Sequence, residues 1–62
     1  MENLITKANE IKAGDTLLAN GIVARVTEVT ESGFVKNDLG QECGLIQLQM
    51  FIDKGVVRVE RN

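Results

Sequence analysis

An Asn20-Gly21 pair sits between two runs suited to strands, Thr16-Leu17-Leu18 and the β-branched stretch from Ile22 to Thr30. Both residues of such a pair tolerate the positive φ that a right-twisted two-residue turn requires, so the pair predicts a β-hairpin. Upstream, Ala13-Gly14-Asp15 reads as a tight turn in which Gly14 takes positive φ and the Asp15 carboxylate bonds to nearby backbone. These features make the chain mainly β. They say nothing yet about an activity.

Within the run from Ile22, the inward positions are Ile22, Ala24 and Val26, yet Val29 falls on the opposite parity. A bulge or sharp bend near Thr27 and Glu28 reconciles them and lets one strand serve both halves of a strongly curved sheet. Glu31-Ser32-Gly33 is the next turn, Phe34 to Asn37 a third strand, and Asp38-Leu39-Gly40 another turn. A fourth strand follows from about Gln41 to Leu45, and Val57 and Val59 mark a last strand over Val56 to Glu60.

Two segments admit two readings each. Ile46, Leu48, Met50 and Ile52 alternate with polar residues and Phe51, as in a strand, whereas Leu45, Leu48, Phe51 and Ile52 share a helical face. Lys54 and Gly55 suit the last turn and the residue beyond a helix, and Leu, Gln and Met favour helix, so a short helix over Gln47 to Lys54 is the preferred assignment. Met1 to Asn9 fits either a helix or a short strand at Leu4 to Lys7 followed by a turn. The expectation is one domain over residues 1–62: a small five-stranded barrel with one short helix before the last strand.

The run Ile11-Lys12-Ala13-Gly14-Asp15-Thr16-Leu17-Leu18, followed by a hairpin and a bent strand, resembles the opening of SH3-like small barrels. In those, a Gly-Asp turn leads into the first barrel strand and a short helical turn precedes the last. The resemblance covers Ile11 to Glu60 as an order of elements, with Gly14 and Asp15 as its motif. It implies a binding module, from a group that includes peptide, RNA, ribosomal and transcription-partner binders and many phage-encoded proteins. With the chain's brevity, it implies a phage or mobile-element accessory protein. No functional residue carries over, because the chain has neither the Tyr nor the Trp of a signalling SH3 groove or a Tudor cage.

At 62 residues the chain has room for one core. Chains of this size bury only about 60% of the surface their unfolded form exposes, and small domains compensate with disulfides, metals or association. One cysteine and no histidine leave association, with a protein partner or with itself as a homo-oligomer. No metal or other cofactor is expected. Met1-Glu2-Asn3 carries no basic n-region and no apolar run reaches a membrane-spanning length, which gives a cytoplasmic expectation with no membrane contact.

Chemistry on side chains is poorly supplied. Without histidine the commonest general base is missing, so the chain is not expected to be an enzyme. Cys43, between Glu42 and Gly44, reads as a small structural hydrophobe. Glu28, Glu31 and Asp38 read as solvated carboxylates near turns rather than an acid/base pair.

Two binding readings compete. Nucleic acid would be met by Lys36, Lys54, Arg58 and Arg61, extended by Lys12 or Arg25, but the net charge is −2 and only Phe34 and Phe51 are available for stacking. Protein binding is the preferred reading, because one small core cannot take every large apolar residue. Its candidates are Leu39, Met50, Phe51 and Arg58. Met50 and Phe51 fit the core around the helix equally well.

Overall fold

The structure, a computed structural model, describes residues 3–61. Readings that touch Met1, Glu2 and Asn62 lie outside the described residues. Strand β1 (Asn3–Ile5) leads through a 3-10 turn (Ala8–Glu10) to β2 (Thr16–Ala19) and β3 (Ile22–Val29). Strands β4 (Phe34–Asn37) and β5 (Glu42–Gly44), helix α1 (Leu45–Asp53) and strand β6 (Arg58–Arg61) follow. All neighbouring strands are antiparallel, in the order β1-β6-β2-β3-β4-β5.

The chain is mainly β, as its sequence predicts, and the hairpin forms where the Asn-Gly pair places it. Ala19 pairs with Ile22, and Asn20 (φ 50°) and Gly21 (φ 79°) make the reversal. Asn20 is the only non-glycine residue with positive φ among the described residues. The bend also lies where the parity switch requires it: Val26 pairs with Asn37 and Glu28 with Lys36, leaving Thr27 as the extra residue. Through that bulge Val26 and Val29 both face inward, and β3 belongs to both arms of the sheet.

Strand count and closure differ from expectation. There are six strands among the described residues, because Asn3–Ile5 pairs with β6. The sheet is not closed into a barrel, since its end strands β1 and β5 do not pair with each other. The 3-10 turn and α1 pack together at the opening. A single side chain ties them: Gln49 accepts the Ala8 N–H through Oε1 at 2.7 Å and donates through Nε2 to the Thr6 carbonyl at 3.0 Å. The amide thus satisfies backbone groups between β1 and the 3-10 turn that neither element pairs.

The segment after β5 is helical, and it starts at Leu45, earlier than expected. Gly55 (φ 76°) ends it. The Gly55 N–H donates to the Ile52 carbonyl and the Val56 N–H to the Phe51 carbonyl, the paired bonds of a Schellman motif. Leu48 is the helix residue driven fully into the core, against Val26, Val35 and Val59. Ile5, Ala8 and Ile11 complete that core. Among the described residues that core holds only aliphatic side chains and no aromatic one, so the apolar stabilisation available is small. Met50 is outside it, 49% exposed.

Candidate groove on the concave face

The open end of the bent sheet forms a groove of about 590 Å³. Its walls are Leu17 and Ala19 of β2, Ile22 and Ala24 of β3, and Phe51 with Val57 from the helix and the segment after it. Val35, Cys43 and Leu48 line it further in. The volume lies within the range of natural ligand clefts, which are mostly apolar with a few polar groups. The polar groups here are Asn37, Gln41 and Glu42.

Ile22 explains why the groove exists. It has the inward parity expected from the sequence, but it is 56% exposed and does not join the core. Strand β6 reaches only as far as the Leu18–Arg58 pair, so the hairpin end runs past its neighbour and the inner face there is uncovered. The overhang of Ala19 and Ile22 is set by where β6 starts along β2, a pairing that no local sequence pattern displays.

Of the expected interface residues, Phe51 lines the groove and is half-buried, so it contributes to packing and to the groove together. Leu39 is exposed at the β4–β5 turn, whose flanking residues Asn37 and Gln41 reach the groove. That turn is rigidified by Asn37 Oδ1, which accepts the Leu39 and Gln41 N–H groups, and by Asp38 Oδ1, which accepts the Arg25 N–H. Met50 is on the outward side of α1, and Arg58 faces away from the core on β6, in an ion pair with Glu60 at 3.3 Å. The four residues therefore do not form one patch.

The cations of the nucleic-acid reading are dispersed and mostly matched with carboxylates. Lys36 lies 3.9 Å from Glu28, and Lys54 is the exposed C-cap of α1. Arg61 is committed to a buried partner: Nε and Nη2 hold the Asp15 carboxylate, and Nη2 also donates to the Glu10 carbonyl. Asp15 is the buried acid among the described residues and accepts the Lys12 N–H as well. The Arg61 hydrogen bonds hold its carboxyl below the usual carboxylate range, outweighing burial.

The Cys43 thiol is half-buried on the groove wall, and burial pushes its pKa up, which disfavours the reactive thiolate. Among the described residues no group of three His, Cys, Asp or Glu side chains is placed to hold a metal ion, and no helix is long and apolar enough to cross a membrane. Compared with protein-family models, curated proteins and solved structures, the chain matches none.

Proposed function

We propose that this chain is a non-enzymatic binding module of SH3-like design, which takes an apolar side chain of a partner protein into its concave groove. The observation that carries the reading is Ile22: an inward-facing β-branched residue left 56% exposed beside Leu17, Phe51 and Val57. Among the described residues only eight hydrophobic ones are buried and eight large ones are exposed, so covering such a surface is a gain. The strand order β6-β2-β3-β4-β5, bent at a bulge and with the helix just before the last strand, supports the SH3-like part of the proposal.

Nucleic-acid binding is the weaker reading, because Lys36, Arg58 and Arg61 each face a carboxylate of this chain. Crosslinking capture from host cells with the wild-type chain and an Ile22→Asp variant tests the proposal. A protein retained by the wild type and lost in the variant supports it, after native mass has shown whether the occupant is a second copy. Oligonucleotide binding whose affinity falls steeply with salt and is indifferent to Ile22→Asp overturns it.

A further inference from the structure

The rim of the groove carries a free strand edge beside an acid. The Asn37 N–H donates to the Gln41 carbonyl and the Leu45 N–H to the Gly33 carbonyl. Antiparallel ladders alternate bonded and non-bonded pairs, so Val35 and Cys43 form the bonded pair between those two. Glu42, opposite Lys36, is then at a non-bonded position, with its N–H and C=O pointing away from β4 along an edge that no other strand covers. Its carboxylate makes no ion pair among the described residues, since Lys36 turns to Glu28. None of the seven basic residues lines the groove.

We infer that the occupant is an extended segment of a different protein that adds to the β5 edge with an apolar–basic–apolar triplet. The inference rests on the groove reading above. The middle residue of the segment exchanges main-chain hydrogen bonds with Glu42 and sets its positive side chain on the same face as the Glu42 carboxylate. Alternation along a strand then sends both flanking side chains to the face of Cys43, into the groove. A second copy of this chain does not supply the segment. Its own triplets of this pattern are Ala24-Arg25-Val26, Val57-Arg58-Val59 and Ile11-Lys12-Ala13. The first two lie largely in strands paired on both sides, and Ile11 of the third is buried in the core.

The test uses blocked synthetic peptides, Ser-Leu-Lys-Leu-Ser and Ser-Leu-Glu-Leu-Ser, titrated into the isotope-labelled chain while amide shifts are followed. The lysine peptide is expected to shift the Glu42 and Ile22 amides and to bind about fivefold more tightly than the glutamate peptide. Glu42→Gln should erase that preference, and N-methylation of the peptide's lysine should abolish binding by removing a main-chain donor. Equal binding of both peptides, lost in Ile22→Asp, overturns the strand-and-charge inference while leaving the groove reading standing. Binding of neither peptide also overturns the inference, and the groove reading is then judged by its own capture experiment.

Discussion

Arg61, in the last strand, grips Asp15, in the first tight turn, through two parallel hydrogen bonds of 2.9 Å, Nε to Oδ1 and Nη2 to Oδ2. Asp15 simultaneously accepts the Lys12 N–H, and its own backbone carbonyl accepts the Val26 N–H. One residue therefore joins β6, the turn before β2 and the middle of β3. A planar guanidinium fits this fork where an ammonium does not. Arg61→Lys is expected to lower stability, and Asp15→Ala to cost about 2 kcal/mol by also removing the partner of the part-buried Lys12 N–H; chemical denaturation measures both.

The same pair sets an acid limit. Asp15 has its folded pKa held below the ordinary 3.8, chiefly by the hydrogen bond from Arg61. A depressed folded pKa gives stability that is complete above the unfolded value and disappears as pH falls through the folded one. The Arg61 pKa is raised by the same hydrogen bond, so the guanidinium stays charged at all ordinary pH and the titration of Asp15 alone sets the limit. The thermal midpoint should stay level down to about pH 5 and fall below about pH 4, and Asp15→Asn should flatten that fall. A profile unchanged by Asp15→Asn would place the acid sensitivity elsewhere.

Gln49 offers a second cross-fold test. Its amide serves the buried Ala8 N–H, the Thr6 carbonyl and the Asp53 carboxylate together. Gln49→Leu keeps the helix and much of the volume but strands the Ala8 N–H, at an expected cost of about 1–2 kcal/mol. Hydrogen exchange should show the Ala8 amide losing protection first, ahead of β2 and β3.

The β2–β3 turn makes a local prediction. Gly21 holds φ at 79°, and an added Cβ meets nothing within 4 Å, so any penalty for Gly21→Ala comes from backbone strain rather than collision. The expected loss is about 1 kcal/mol, read from denaturant midpoints, with the strand register retained.

Local rules made much of this fold legible. Asn20 and Gly21 specify a turn by their own φ preferences, and the clash of parity between Val26 and Val29 specifies the bulge at Thr27. The β1 strand was ambiguous because Asn3–Ile5 is short and its pairing depends on β6, more than fifty residues away in sequence. Arg61 read as a surface cation for the same reason: its partner Asp15 is local to nothing in its own strand. The groove was the hardest to foresee. Ile22 has every mark of a core residue, and only the overhang of the β2–β3 hairpin past the start of β6, a property of pairing rather than of composition, leaves it uncovered.

That distinction separates two residues that line the groove, one from the helix and one from the sheet. Leu48 is buried among Val26, Val35 and Val59, and removing its side chain opens a cavity that so small a core cannot close. Leu48→Ala should therefore cost about 2–5 kcal/mol, a large part of the stability of a domain this size. Ile22 contributes little to that core because more than half of it already meets water. Ile22→Thr keeps the β-branch for the strand and should change stability by about 0.5 kcal/mol or less, while weakening capture of a partner through the groove. Equal destabilisation by the two substitutions would make Ile22 a core residue in solution, and the hairpin end would then have to fold over the groove rather than stand open beside Phe51.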